Sequence, residues 1–296
     1  MKTGFHVGVV FIGLGLAWLA GGCQRAPGGK IDLDTVEIRV GIADLVRRER
    51  WSRILLTAGA VEGAFEGEVV VSGLHTDGKS SDERFSHPFD VSTTPKTIEI
   101  PFRPVSGWEK VVVSFRGRSS TSSVAVLPNF VVMDPVMVIG IGAVPVELAA
   151  GFTESSEARV QTGVLGADDM PRTSRGYDIA DVVVVYGDEI LGADQDQIVA
   201  LNEWVRGGGV VVGVPTLIWP GQIDGTLAGM FGVDDGLQAV DGATLRGRGN
   251  AVEYKSGAGR TLLLLSLGAG ASIQEDPIAE RAWSKCVRYV EAQRSR

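Results

Sequence analysis

Short apolar or alternating runs separated by Gly, Pro, Ser and Asp fill the first half of the chain. They fall at Glu37–Ile42, Ser52–Thr57, Gly67–Gly73, Lys96–Phe102, Val111–Arg116 and Ser123–Leu127. Each is strand length, and no 3.6-residue period of useful extent competes. In Thr97-Ile98-Glu99-Ile100-Pro101-Phe102 the alternation is strict, which predicts a strand with one face on a core and one face wet. Trp51 and Trp108 read as core or sheet-edge aromatics of this region. The economical architecture for residues 31–130 is an all-β sandwich of immunoglobulin type, without the paired cysteines of antibody domains.

Near residue 130 the period changes. Val131–Gly142 is a nearly continuous apolar run, as expected for a strand buried on both faces, and a short helical stretch follows around Val146–Phe152. Ala158–Leu165 and Asp181–Gly187 read as further strands. Asp194 then stands as a helix cap with Gln197 three residues on, while Ile198, Leu201 and Val205 recur on one face. Gly207-Gly208-Gly209 ends that helix before strand Val210–Val214, which makes a strand–helix–strand crossover. A hairpin, Ala251–Tyr254 with Arg260–Leu267, and a helix Pro277–Ala292 capped by Asp276 close the chain. Residues 131–296 are therefore expected to be an α/β layered sheet with its own core, behind the β-sandwich.

Charge supports a boundary at that point. Residues 23–130 hold 14 basic and 14 acidic side chains, whereas 131–296 hold 13 basic and 22 acidic ones. The whole chain carries −8 with a pI near 5.0, which argues against a partner held through phosphates by clustered Lys and Arg, so no nucleic-acid partner is expected. Forty glycines in 296 residues, roughly twice the usual ~7% share, imply many tight turns.

The N-terminus reads as an export segment. Residues 1–22 contain one Lys, no acid, and an apolar run from Val7 to Ala20 that ends in small residues. Leu19-Ala20-Gly21-Gly22-Cys23 resembles the bacterial lipobox, which implies lipidation of Cys23, although Ala20 stands where that motif usually has Leu. An uncleaved anchor helix over Thr3–Gly22 is the alternative, since that stretch is just long enough to span a bilayer. Either way, residues 23–30 form a flexible leader and the rest of the chain lies on the extracytoplasmic side of a bacterial membrane. Cys286, beside Trp283, Val287 and Val290 on a helix, reads as a packed thiol rather than a disulfide partner or nucleophile.

The segment from Gly176-Tyr177-Asp178-Ile179-Ala180-Asp181 through Val182–Val185, and then Gln195 to Val212, resembles the class I glutamine amidotransferase-like domains. It is similar in particular to the flavodoxin-like domains of bacterial envelope proteins that carry an N-terminal β-sandwich and a membrane anchor. The resemblance implies a flavodoxin-like fold for residues 131–296. A hydrolase of that family needs a thiolate on the turn after a central strand and an imidazole beside it. The turn after Val214 reads Pro215-Thr216-Leu217, and the chain's histidines are His6, His75 and His87, so residues 131–296 contain none. Thr216 would lack a base.

Other candidate chemistry is sparse. Gly140-Ile141-Gly142-Ala143 lacks the third glycine of a dinucleotide loop and reads as a tight turn. Asp168, Asp169, Asp188 and Glu189 fall in loops after strands, where open α/β sheets place ligands, and they mark a possible ligand or cation site. No cofactor is expected, and no zinc pattern is present. These readings lead to a non-catalytic, membrane-tethered protein of the cell envelope that binds or assembles with other envelope proteins. A ligand-binding accessory subunit of an envelope transporter and a carboxylate-based hydrolase are the alternatives.

Overall fold

The computed structural model describes residues 29–214 except 62, 119, 132–133, 147, 151, 153–158 and 187–188, together with 251–264 and 275–295. Cys23, the export segment, Thr216 and Asp188 lie outside the described residues.

Nine strands precede residue 131: β1 (Glu37–Val40), β2 (Leu45–Val46), β3 (Ser52–Ala58), β4 (Phe65–His75), β5 (Ser80–Val91), β6 (Lys96–Phe102), β7 (Trp108–Gly117), β8 (Thr121–Val126) and β9 (Asn129–Phe130). They form a three-stranded sheet in the order β1-β3-β6, a four-stranded sheet in the order β5-β4-β7-β8, and a short parallel pair β2-β9. All neighbours within the two larger sheets are antiparallel. Their apolar positions share one core of Ile54, Leu56, Ile100 and Phe102 with Val69, Val71, Phe89, Trp108, Val113 and Phe115. Trp108 is fully buried and stacks on Phe102, with ring centroids 6.4 Å apart. Its indole lies where a side chain at Gly73 would be: a Cβ there would sit 2.0 Å from Trp108 Cδ2.

Strand β5 had no counterpart in the apolar pattern. Ser80–Val91 alternates, but with Asp82, Glu83, Arg84 and His87 among its residues it hides its period in polar side chains.

Beyond residue 131 the strands are β10 (Val136–Ile141), β11 (Val160–Leu165), β12 (Val182–Tyr186), β13 (Val210–Val214), β14 (Ala251–Ser256) and β15 (Gly259–Leu264). They make one six-stranded sheet in the order β11-β10-β12-β13-β15-β14, antiparallel only between β14 and β15. Residues 146, 148–150 and 152 are helical, and two longer helices are described, Gln195–Arg206 and Pro277–Arg294.

This corrects the expected plan of an immunoglobulin-like sandwich followed by a flavodoxin-like α/β layered sheet. The chain is mostly β and spread over several sheets, with fifteen strands against two bounded α-helices among the described residues. A layered α/β unit needs a helix to cover each crossover. From β11 to β12 the chain instead passes through 3-10 turns at Ala167–Asp169 and Ser174–Tyr177. The intervening sequence, with Gly166, Pro171 and Gly176 and no apolar 3.6 period, cannot sustain a helix.

The face left open there is covered by the N-terminal region. Ile42 and Leu45 belong to the same buried cluster as Met137, Ile139, Ile141, Leu165, Tyr177 and Val183. The expectation that residues 131–296 enclose their own core therefore omits a contribution from before the boundary. On the opposite face, helix Pro277–Arg294 places Ala279, Trp283, Cys286, Val287 and Val290 against Val136, Val138, Val182, Val184 and Val212. Cys286 is fully buried there. Among the described residues no helix is long and apolar enough to cross a membrane.

Candidate functional site

Of the four acids marked in the sequence, Asp188 lies outside the described residues, and the other three do not converge. Asp168 and Asp169 stand on the 3-10 turn that follows β11, and Glu189 opens the 3-10 turn Glu189–Gly192 that follows β12, so three of them lie at the carboxyl end of the parallel strands. Asp169 turns toward the N-terminal region and pairs with Arg39. Glu189 reaches back over the sheet end, where its Oε1 accepts from the Ala167 N–H at 3.5 Å and its Cβ packs against Gly142. Gly142 has φ +93° there, and a Cβ on Gly140 would meet the Ala143 carbonyl at 1.8 Å, so this turn is closed tightly on itself. Asp168 offers its backbone carbonyl to Gln197. Among the described residues no group of three or more His, Cys, Asp and Glu side chains could hold a metal ion.

The turn that carries these acids is fixed from the N-terminal region by a buried ion pair. Arg53 on β3 and Glu99 on β6 meet at 3.2 Å with side chains only 5% and 6% exposed. Glu99 also accepts from the Arg172 N–H at 2.9 Å and the Thr173 hydroxyl at 2.8 Å, while Arg53 donates to the Asp169 and Gly41 carbonyls. The face of β6 expected to be wet is thus the one that grips the β11–β12 crossover. Both charges have several partners, which is the condition for keeping ions out of water.

A second network lies at the amino end of the same sheet. Arg47, also 5% exposed, donates to Asp134 Oδ1 at 2.6 Å and to Asp181 Oδ2 at 3.2 Å. Arg294, near the end of the C-terminal helix, reaches the same two carboxylates at 3.1 and 3.4 Å. Asp181 further accepts from the Met137 N–H at 2.8 Å. Burial pushes the Asp134 carboxyl up, yet the Arg47 hydrogen bond and the charges of Arg47 and Arg294 outweigh it and hold the group below the usual carboxylate range.

Beside this network opens a cleft of ≈ 360 Å³ whose walls come from both regions. Arg50 and Trp51 form one side, Arg175 and Asp178 the second, and Trp204 with Gly207–Gly209 and Tyr289 the third. Asp178 accepts from the Trp51 N–H at 3.0 Å and lies 3.8 Å from Arg50. The Arg175 guanidinium stacks over the Trp51 ring at 4.6 Å, a cation–π contact. Behind Trp204 the Tyr177 ring is fully buried, with its centroid 5.8 Å away and its hydroxyl unpartnered; burial pushes that phenol well up, so it stays protonated. The cleft was not foreseen. Its three walls lie 26 to 239 residues apart in the chain, and Trp51 read as an ordinary sheet-edge aromatic.

No family model matches the chain, and no curated protein matches it. Among solved structures it is similar to Exo-beta-1,4-mannosidase Op5Man5 from Opitutaceae bacterium strain TAV5, at 15% identity and a TM-score of 0.32, over 54% of this chain and 36% of that one. It is similar to a cycloisomaltooligosaccharide glucanotransferase of Paenibacillus sp. at 10% identity and a TM-score of 0.24, over 69% of this chain and 42% of that one. It is also similar to Spo0M, a sporulation control protein of Bacillus subtilis, at 10% identity and a TM-score of 0.25, over 45% and 56%. The chain thus spans between about a third and somewhat over half of the length of these proteins, and likeness at such TM-scores carries no argument about fold or activity.

Proposed function

We propose that this chain is a non-catalytic binding or assembly protein of the bacterial cell envelope, tethered to the membrane at its N-terminus through lipid on Cys23, and that it engages its partners at the cleft between its two regions. The observation that carries this reading is how the charges are used. Asp169 and Glu189, the acids at the carboxyl end, are drawn into contacts that hold the fold, while a cleft lined by Arg50, Trp51, Arg175 and Trp204 stands open at the amino end. Aromatic and Arg side chains around a recess are the composition of a recognition surface. Acyl transfer would need an activated nucleophile with a base beside it, and residues 131–296 hold no histidine. The cleft volume of ≈ 360 Å³ falls among small-molecule sites, which favours as a second reading a ligand-binding accessory subunit of an envelope transporter.

The anchoring half of the proposal is tested by growing cells with labelled fatty acid. The expected result is label on the full chain and none on Cys23→Ser, with the variant released from membranes or retained as the larger precursor. Equal label, mass and membrane partition in the two chains would overturn it. The non-catalytic half predicts no hydrolysis of glutamine, simple amides or esters by the purified protein, and turnover abolished by Asp169→Asn or Glu189→Gln would contradict it.

A further inference from the structure

We infer that β8 is a self-association edge, which pairs with the β8 of a second copy of this chain to continue the four-stranded sheet across a two-fold axis. The four-stranded sheet has two edges, β5 and β8, and they are built differently. The β5 edge carries Asp82, Glu83, Arg84 and Asp90, together with Pro88, which has no N–H to donate. Charges and proline on an edge are what discourage strand addition. At the other edge β8 reads Thr-Ser-Ser-Val-Ala-Val, and residues 119–133 contain no charged side chain at all.

Strand β8 pairs with β7 through Val111↔Val126 to Arg116↔Thr121, so its other side leaves every second N–H and C=O directed outward. Its burial alternates: Thr121, Ser123 and Ala125 are exposed, while Ser122, Val124 and Val126 are half-buried toward the core between the sheets. Leu127, which follows directly, is 69% exposed. These features select a second copy as the occupant. A charge-free strand has nothing with which to recognise a charged partner. In antiparallel self-pairing with Val124 on the axis, Ser123 faces Ala125 and Ser122 faces Val126, so exposed positions meet exposed ones and half-buried meet half-buried. No like charges are opposed, in contrast to what β5 would suffer. One such edge buries far less than the ~1,600 Å² of a standard interface, so the dimer dissociates on dilution.

Covalent trapping in cells that express the full chain tests this. Ser123→Cys treated with a short bismaleimide should give a species of twice the mass of the chain found in the same cells without the reagent. Ser86→Cys on the β5 edge should not, nor should the unmodified chain, whose Cys286 is buried and whose Cys23 sulfur is blocked by lipid on the proposed function. Adding Thr121→Lys with Ala125→Lys, or Glu at both positions, should cut the trapped dimer about tenfold, because position 125 then has like charges at both diagonal positions, 121 and 125, of the second copy. A folded Ser123→Cys chain that gives no dimer, a dimer indifferent to both charged pairs, or an adduct only of another mass, as expected for a strand from a different protein, would overturn the inference.

Discussion

The two crossovers that flank β12 solve the same problem in opposite ways. From β12 to β13 the chain supplies its own order: Asp194 accepts from the Gln197 N–H at 3.0 Å, Gln197 returns a bond at 2.8 Å, and Ile198, Leu201 and Val205 face the sheet. From β11 to β12 there is no helix, and order is borrowed from 70 to 120 residues away through Arg53 and Glu99. A segment with its own period folds where its sequence says. One without it is shaped by what docks on it, and its acids are then committed to structure. The cleft opens where the two crossovers approach each other at the amino end of the sheet, opposite to the end where open α/β sheets place ligands.

The contrast can be broken most strongly at Glu99. Glu99→Ala leaves Arg53 buried without its counter-ion and frees Arg172 and Thr173, so urea unfolding should show a loss of about 3–5 kcal/mol. Hydrogen exchange should rise over residues 166–181 before it rises over 195–206. A smaller effect is expected from Asp194→Ala, which removes the capping box of the self-sufficient crossover at a cost of about 1 kcal/mol in the same measurement. Asp169→Asn weakens a half-exposed pair with Arg39 and should cost less than about 1 kcal/mol.

The smallest effect is pH-dependent. The Asp134 carboxyl is held below its ordinary value, so its contribution is fully present above the unfolded value of ~4 and is lost as pH falls through the lower, folded value. Its side chain is 67% exposed, which keeps the slope shallow. Asp134→Asn should remove that part of the acid-side slope in melts recorded between pH 5 and pH 2. Because Asn tolerates the left-handed φ of +49° as Asp does, backbone strain will not obscure the comparison.

The same contrast explains what the sequence made legible. Helix Gln195–Arg206, the strict alternation of Lys96–Phe102 and the buried runs of β10, β12 and β13 were readable because each carries its signal in adjacent residues. The layered α/β plan failed at the β11–β12 crossover, since its cover comes from Ile42, Leu45 and β6, and no local pattern encodes that. Glu99 looked like a solvated strand residue for the same reason. Asp168, Asp169 and Glu189 were correctly placed after strands, but their partners, Arg39 and the Ala167 N–H, depend on tertiary approach. The cleft joins Arg50, Arg175 and Tyr289, whose nearness only the folded chain creates.

The cleft, and not the acidic turn at the opposite end of the sheet, is the place we propose for contact with a partner. Site-specific photo-crosslinking in living cells tests it most directly, with a benzophenone amino acid placed at Glu203 on the cleft wall or at Asp168 on the acidic turn. The expected result is a discrete adduct from position 203 that weakens when Trp51 or Arg175 is replaced by Ala, and none from position 168. An adduct from position 168 alone, lost on Asp169→Asn, would contradict it.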